Sequence, residues 1–258
     1  MTGPSDDKET PQTAIVVDHV SKKFRIPLEK KYTVYQHLFG IFKGGYYSYN
    51  EFLALDDISF TVNHGESFGI IGPNGSGKST LLKLIAGILY PDKGYTRAYG
   101  RIAPFIELGV GFHPELTARE NIFLYGSILG LKKNQIREKY DEILSFSELK
   151  KFENMKIKNF SSGMTARLAF ATAIQTDPDI LLIDEMLAVG DEEFNYKVVE
   201  KINEMKEREV TIVFVSHALR LVQQYCSRTL LLSKGKIIQI GDTSQVIEKY
   251  LQITREHQ

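Results

Sequence analysis

Residues Gly72 to Thr80 read GPNGSGKST and match the pattern G-x-x-x-x-G-K-[ST]. The strand-like segment before them carries the apolar residues Phe68, Ile70 and Ile71, and the helical pattern KSTLLKLIAGIL overlaps their end. A glycine-rich turn between a buried strand and a helix is the context in which this pattern marks a phosphate-binding loop. Its glycines let consecutive backbone N–H groups face a phosphate. The stretch therefore predicts an α/β fold with a phosphate site at the end of a strand.

The side chains of this loop have separate predicted roles. We expect Lys78 to reach the β and γ phosphates of a nucleotide and the hydroxyl of Ser79 to bind Mg²⁺. The remaining loop residues supply backbone contacts to the phosphates; they are Gly72, Pro73, Asn74, Gly75, Ser76, Gly77 and Thr80. The alternative is a glycine-rich turn that only begins a helix.

Two further apolar runs end in polar side chains. DILLIDE ends in Asp184 and Glu185, and VTIVFVSH ends in His217. Beside a phosphate loop, Asp184 suits a metal ligand and Glu185 suits a general base that orients the attacking water. His217 is expected to contact the γ-phosphate. A solvated acidic strand end and a histidine that caps the following helix are the alternatives.

The order of patterns predicts one domain with three parts. Near-continuous apolar strands alternate with helices, which is typical of a parallel α/β sheet. We expect a mixed-sheet core, an antiparallel β subdomain near the start and a helical subdomain over about residues 113–176. The whole domain is expected to span residues 14–250 and to include an insert at residues 25–53. Residues 1–13 are expected to form a disordered leader, and residues 251–258 a short tail.

Composition narrows the function classes. The chain of 258 residues has 32 Lys and Arg against 32 Asp and Glu, so its zero net charge does not favour nucleic acid as a partner. Its only cysteine, Cys226, cannot form an internal disulfide, which suits a reducing compartment. No apolar run reaches the roughly 18–20 residues that span a bilayer, so a membrane role requires a partner.

These motifs, together with FSSGM at Phe160–Met164 just before DILLIDE, resemble the nucleotide-binding subunit of an ABC transporter. The resemblance covers Ala14 to Tyr250. FSSGM occupies the position of the family's LSGGQ signature, differs from it at three of five places and keeps Ser161 and Gly163. The resemblance implies a P-loop NTPase fold of the ABC ATPase type, with ATP and Mg²⁺ as ligands and ATP hydrolysis as the activity.

The resemblance also implies a dimer of two copies. In this family the signature helix reaches the ATP that the other copy's phosphate loop holds. Ser161, Ser162 and Gly163 are then expected to contact a γ-phosphate that belongs to the partner copy, because a helix start is a natural anion site. MLAVGD resembles the family's D-loop, with Asp191 as its acid.

Two sites of the family are poorly defined here. Where most members have a Gln before an FP-x-L-T run, this chain reads FIELGVGFHPELT, and Glu107 is the nearest polar residue. The aromatic residue that stacks on adenine should follow the first strand. Phe24 fits by position, and Tyr32 and Tyr35 are alternatives within the insert.

Three local patterns narrow the transported substrate. FSSGM, the run around GFHPELT and EMLAVGDEEF resemble the polysaccharide-export branch, whose members carry extra residues where the insert lies. This implies a lipid-linked polysaccharide such as O-antigen as substrate and an integral membrane permease as partner. It also implies a peripheral position on the cytoplasmic face of the inner membrane. Teichoic acid, capsule, a lipid or a drug is the alternative cargo.

Two alternatives to a transport subunit are also considered. One is a soluble ABC ATPase of DNA repair or translation, and the other is a non-catalytic protein that binds ATP as a switch.

Overall fold

The computed structural model describes residues 13–27, 49–105, 111–184 and 191–256. Within them the chain forms nine strands in two sheets. The strands are β1 (Thr13–Pro27), β2 (Tyr49–Asn63), β3 (Ser67–Ile71), β4 (Lys93–Ala98), β5 (Ile102–Phe105), β6 (Ile180–Asp184), β7 (Thr211–Val215), β8 (Arg228–Ser233) and β9 (Lys236–Asp242).

The central sheet has six strands in the order β5-β6-β7-β3-β8-β9. The first five are parallel to their neighbours, and β9 pairs antiparallel with β8. This arrangement confirms the predicted α/β fold with a mixed sheet. Strands β8 and β9 form a hairpin, and its turn holds Lys234 and Gly235 at positive φ angles of 48° and 74°.

The parallel strands are apolar on both faces because both faces are covered. Along β6, Ile180 and Leu182 belong to one apolar core, whereas Leu181 and Ile183 belong to the core on the other side. Successive side chains of a strand point to opposite faces, so a strand buried on both sides reads as a continuous apolar run. This explains why DILLIDE shows no polar alternation before its carboxylates.

The smaller sheet is antiparallel, with the order β2-β1-β4, as predicted for the early part of the chain. Its first two strands extend into the predicted insert. Arg25 pairs with Glu51 and Ile26 pairs with Asn50, so both ends of the range 25–53 are strand rather than loop. Residues 25–27 and 49–53 of the predicted insert therefore lie in β1 and β2. Residues 28–48 lie outside the described residues.

Seven α-helices are present in the described part of the chain. They are α1 (Lys78–Ile85), α2 (Ala118–Ile128), α3 (Lys133–Ser147), α4 (Ser162–Ile174), α5 (Glu192–Glu207), α6 (Leu219–Tyr225) and α7 (Thr243–Glu256). Helices α2, α3 and α4 pack on one another around their own apolar cluster. A capping box at Thr117 and Glu120 starts α2.

The C-terminal helix crosses the predicted domain boundary. The boundary placed at residue 250 falls inside α7, which continues to Glu256. Tyr250 and Ile253 pack against the main core. Residues three apart lie on the same face of a helix, so this face of α7 is the apolar one. At the other end, residues 1–12 of the predicted leader lie outside the described residues, and Thr13 is already in β1.

Within the four described ranges, no helix combines the length and the apolar character needed to cross a bilayer.

Candidate functional site

The carboxyl ends of three parallel strands meet at one edge of the central sheet. Ile70 of β3 is level with Val215 of β7, which is level with Asp184 of β6. Chain segments that leave these strand ends therefore converge on a cavity of about 450 Å³. Its lining residues are Phe52, Ala54, Asn74, Gly75, Ser76, Gly77, Lys78, Ser79, Thr80, Asp184 and His217.

The backbone of the glycine-rich loop is packed too closely for side chains at two points. Gly72 has a φ of 150°, and a Cβ added there would lie 2.0 Å from the carbonyl oxygen of Leu232. Gly77 has a φ of 107°, and its Cβ would lie 2.7 Å from the carbonyl oxygen of Ala54. Because other residues rarely adopt these angles, both positions require glycine.

The β8–β9 turn braces this loop from behind. The N–H of Gly235 donates to the carbonyl of Ser76 at 2.9 Å, and the carbonyl of Gly235 accepts from the N–H of Asp56 at 2.8 Å. The turn thus joins the phosphate-loop candidate to β2 through a single residue. This contact was not predicted, because no local sequence pattern indicates which element a turn contacts.

The side chain of Lys78 lies inside the loop. Its ammonium donates to the carbonyls of Gly72 at 2.8 Å and Pro73 at 3.0 Å. Burial lowers the pKa of Lys78, and the charge of Asp184 opposes that shift. The loop therefore encloses the buried ammonium of Lys78 at the N-terminus of α1.

Ser79 and Asp184 come together beside this cation. The Ser79 hydroxyl forms a hydrogen bond with the Asp184 carboxylate, although the two residues lie on different elements. Burial raises the pKa of Asp184 against the opposing effects of that hydrogen bond and of Lys78. A hydroxyl and a carboxylate are hard oxygen ligands, and Mg²⁺ in nucleotide sites takes one or two such ligands besides phosphates and water. The pair fits Mg²⁺.

His217 faces the same cavity from the end of β7. Burial and the nearby charge of Lys78 lower its pKa, so the imidazole is neutral near pH 7. The N-cap position of α6 is Ala218, whose side chain cannot accept a hydrogen bond. The sequence-predicted residues Lys78, Ser79, Asp184 and His217 thus lie around one cavity.

The FSSGM segment lies elsewhere. The hydroxyl of Ser161 caps α4 by accepting the N–H of Met164 at 3.1 Å, and both Ser161 and Ser162 are exposed. Neither serine nor Gly163 is among the described residues that line the cavity. The start of α4 therefore presents an exposed serine cap that makes no contribution to its own chain's cavity.

Asp191 begins α5 and also contacts α4. Its carboxylate accepts the N–H of Phe194 at 3.0 Å and a hydrogen bond from the guanidinium of Arg167. The N–H of Phe194 lowers the pKa of Asp191 most, and Arg167 lowers it further. The sequence motifs did not indicate a role for Arg167.

The aromatic residue at the cavity is not the one predicted. Phe52 lines the cavity and is about half exposed, whereas Phe24 is absent from the described lining and lies under the ammonium of Lys22, 5.7 Å from its ring centre. The alternatives Tyr32 and Tyr35 lie outside the described residues.

Two predicted site residues fall in undescribed parts of the chain. Glu107 lies in the range 106–110 and Glu185 in the range 185–190. Their assigned roles stay predictions. Along the chain, the nearest described residues are Asp184, which directly precedes Glu185, and Asp191, which follows the undescribed range.

Comparison with protein families and curated proteins gives consistent matches. A family model described as ABC transporter matches residues 55–188. An O-antigen export system ATP-binding protein, RfbB of Klebsiella pneumoniae, is 43% identical over 237 residues, which cover 86% of this chain and 94% of that protein. A teichoic acids export ATP-binding protein, TagH of Bacillus anthracis, is 41% identical over 240 residues, which cover 93% of this chain but 43% of that protein.

Solved structures show the same fold. A dimeric structure of a post-hydrolysis state of the ATP-binding cassette MJ0796 bound to ADP and Pi superposes with a TM-score of 0.69 at 22% identity, covering 89% of this chain and 98% of that one. A structure of the ATP binding subunit of an ABC transporter gives a TM-score of 0.71 at 24% identity, with coverage of 92% and 93%.

Proposed function

The chain belongs to the ABC transporter family, and on that premise we propose that it is the ATP-hydrolysing subunit of an exporter for a lipid-linked polysaccharide. The observation that carries the ATPase activity is the meeting of Lys78, Ser79, Asp184 and His217 around one cavity at the strand ends. Each residue type suits one need of phosphoryl transfer: a cation for the phosphates, oxygen ligands for a metal, and a neutral imidazole near the γ-phosphate.

The residues of the cavity suit ATP in a defined orientation. The loop backbone and Lys78 bind the phosphates, and the ammonium exchanges its two carbonyl contacts for phosphate oxygens when the nucleotide enters. Ser79 and Asp184 hold Mg²⁺, which when bound neutralises phosphate charge. Glu185, the next residue in sequence, is the proposed base that takes a proton from the attacking water, and His217 orients the γ-phosphate.

The exposed start of α4 supports a homodimer. Ser161 and Ser162 lie on the surface and away from the lining of their own cavity, which supports a contact with a γ-phosphate held by another copy. Two copies that face each other head to tail would enclose two ATP molecules. A few charge-assisted hydrogen bonds of about 1.5–3 kcal/mol each are enough to shift such a dimerisation equilibrium by orders of magnitude.

The relatives support the proposed cargo and membrane partner. RfbB is named for O-antigen export and aligns with most of this chain at 43% identity. We place the protein on the cytoplasmic face of the inner membrane, where an integral permease moves the lipid-linked polysaccharide and ATP hydrolysis by this chain supplies the energy.

Teichoic acid is the second candidate cargo. TagH of Bacillus anthracis is 41% identical to this chain, close to the value for the O-antigen relative.

The ATPase proposal is tested with Glu185→Gln. We expect the variant to release phosphate at least about 100-fold more slowly than the parent, because a general base contributes roughly 10²–10⁴-fold. In Mg-ATP the variant should elute as a dimer in size-exclusion chromatography, and without nucleotide as a monomer. Glu207→Gln, at the exposed end of α5, is the matched control and should behave as the parent. Parental turnover by Glu185→Gln would refute the assigned base.

The cargo proposal is tested by disrupting the gene in its host. We expect surface polysaccharide to disappear and its lipid-linked precursor to accumulate inside the cell. The parental gene should restore export and the Glu185→Gln gene should not. Unchanged surface polysaccharide together with loss of another exported compound would contradict the polysaccharide proposal and leave the ATPase proposal intact.

A further inference from the structure

A second cavity lies beside the glycine-rich loop, between that loop and the C-terminal helix. Its volume is about 460 Å³, within the range of roughly 300–1,000 Å³ that is typical of small-molecule sites. Loop residues 73–76 form one wall, and residues of β8, of the β8–β9 turn and of α7 form the others. Neither Asp184 nor His217 is among the described residues that line it. The cavity is therefore separate from the metal-site candidate, although it shares part of the loop with it.

Much of the wall is apolar. Leu231 of β8 is buried, whereas Tyr250 and Ile253 of α7 are partly buried and pack against the main core. Pro73 adds an apolar surface from the loop. Ligand sites are mostly apolar, with a few polar groups that fix the orientation of the ligand. This wall suits the apolar body of a small molecule.

The polar part of the lining has one sign of charge. Lys234, in the β8–β9 turn, is exposed and lines the cavity, and no described lining residue is acidic. The neighbouring polar side chains are the hydroxyls of Ser233 and Thr254. An ammonium without an acidic neighbour in the lining favours a ligand whose polar end is negatively charged.

The loop also brings an unpartnered hydroxyl to the shared wall. Ser76 is 2% exposed, and its hydroxyl has no hydrogen-bond partner within the described part of the chain. Buried polar groups nearly always have such a partner, so this one points to a missing ligand or water. The backbone of Ser76 is fixed, because its carbonyl accepts the N–H of Gly235 at 2.9 Å. Ser76 lines both cavities, so a ligand in either one can reach this wall.

We propose that the second cavity is a ligand site for a small anionic amphiphile, a molecule with an apolar body and a single acidic group. The apolar body packs on Leu231, Tyr250 and Ile253, and the acidic group pairs with Lys234. Both cavities are formed in one conformation of the loop, so each ligand stabilises the conformation that the other binds. The amphiphile therefore tightens ATP binding, and ATP tightens amphiphile binding by the same factor. This coupling rests on the ATP site proposed above, whereas the amphiphile site does not.

The acidic group is tested by calorimetric titration of the full chain with decanoate and with its neutral analogue decanol. We expect one decanoate per chain, bound roughly two- to fivefold more tightly than decanol, because an ion pair with an exposed lysine contributes modestly. Lys234→Gln should remove that difference and leave decanol binding unchanged. Lys249→Gln, at an exposed position of α7 outside the lining, is the matched control and should keep the difference. Equal affinity of the parent for the two probes would refute the role of Lys234.

The location is tested by filling the cavity. Thr254→Trp places a large side chain at an exposed position of the lining and should weaken decanoate binding at least about tenfold. Gln252→Trp, at an exposed position of the same helix outside the lining, should bind decanoate as the parent does. Unchanged Tm and ATP affinity of both variants show that the fold is intact. Equal decanoate binding by the parent and Thr254→Trp would mean adsorption elsewhere on the surface and would overturn the proposal, as would no binding at all.

The coupling is tested by titrating ATP with and without saturating decanoate. We expect decanoate to lower the Kd for ATP at least about twofold in the parent and to have no effect in Thr254→Trp. A higher Kd for ATP would mean that decanoate competes within the nucleotide cavity, and an unchanged Kd would refute the coupling. Failure of the proposed function gives a different result: the parent would bind no ATP, while decanoate binding and its loss in Thr254→Trp would remain.

Discussion

Phe52 of β2 lies directly opposite Phe24 of β1 in the antiparallel ladder, and only Phe52 lines the cavity at the glycine-rich loop. Directly opposite residues of an antiparallel pair project from the same face of the sheet, so the two side chains are neighbours across the strands. The family resemblance indicated Phe24 as the residue that stacks on adenine, because that residue closes the first strand. The geometry favours Phe52.

Phe52→Ala should weaken ATP binding more than Phe24→Ala. Stacking of an aromatic side chain on a base contributes about 1–3 kcal/mol, so we expect the Kd for ATP to rise roughly 5- to 150-fold. Phe52→Tyr keeps the ring and should bind nearly as the parent. Fluorescence titration of the isolated chain measures all three. A larger loss of ATP affinity in Phe24→Ala than in Phe52→Ala would show that Phe24 contacts the adenine.

Gly235→Ala should damage both stability and nucleotide binding. The residue has a φ of 74°, and an added Cβ would lie 2.7 Å from the carbonyl oxygen of Ala54. The left-handed conformation costs a non-glycine residue about 1–2 kcal/mol, and the contact adds to that cost. Because Gly235 holds the carbonyl of Ser76, displacement of the turn should also raise the Kd for ATP.

The control for this prediction is Gly87→Ala. Gly87 has a φ of 71°, but a Cβ there would meet nothing within 4 Å. It should lower Tm by the backbone cost alone, about 2–8 °C for a chain of this size, and leave ATP binding unchanged. Equal effects of the two substitutions would show that the brace on the loop is unimportant.

Asp184→Asn should stabilise the nucleotide-free chain while it removes activity. Burial raises the pKa of Asp184 even with the Ser79 hydrogen bond and the Lys78 charge included, so ionisation of this carboxyl opposes folding. A neutral amide of the same shape removes that cost. We expect Tm at pH 7 to rise by about 2 °C, which corresponds to a fraction of 1 kcal/mol. Mg-ATP hydrolysis should fall to background.

The pH dependence follows from the same shift. The folded pKa lies above the unfolded value of about 3.9, so the folded chain binds more protons in the window between them. The parent therefore loses stability as pH rises through that window. The higher Tm of Asp184→Asn should appear above the window. It should vanish as pH falls below about 4, where the Asp184 carboxyl of the parent becomes protonated in both the folded and the unfolded chain. Thermal unfolding at several pH values checks this, and a lower Tm for the variant at pH 7 would contradict it.

The parts of the site that sequence analysis predicted are those that local patterns encode. Gly72, Lys78 and Ser79 belong to one short motif, and Asp184 and His217 each end an apolar strand. Parallel strands bring their carboxyl ends to one edge, so the fold class alone places these residues together.

The parts it missed depend on contacts between distant segments. The brace by Gly235 joins two loops more than 150 residues apart, by subtraction of the residue numbers, and the place of Phe52 depends on the register of two strands that flank the insert. The contact of Arg167 with Asp191 depends on how α4 packs beside α5. Apolar periodicity predicts the elements but does not specify these pairings.

Ser161 has two separable roles, a helix cap and a proposed phosphate contact. Ser161→Ala removes the cap to the N–H of Met164 and should lower stability by about 1 kcal/mol and Tm by about 2–4 °C. Ser161→Asp can keep the cap, but its charge would repel a γ-phosphate, so Tm should stay near the parental value.

In the Glu185→Gln background both variants should lose the ATP-dependent dimer seen by size-exclusion chromatography. Thr117→Ala is the matched control, because Thr117 caps α2 in the same way. It should lower Tm and leave the dimer intact. A stable ATP-bound dimer of Ser161→Asp would show that the start of α4 does not meet the partner's phosphate, since a fixed negative charge at that position cannot coexist with such a contact.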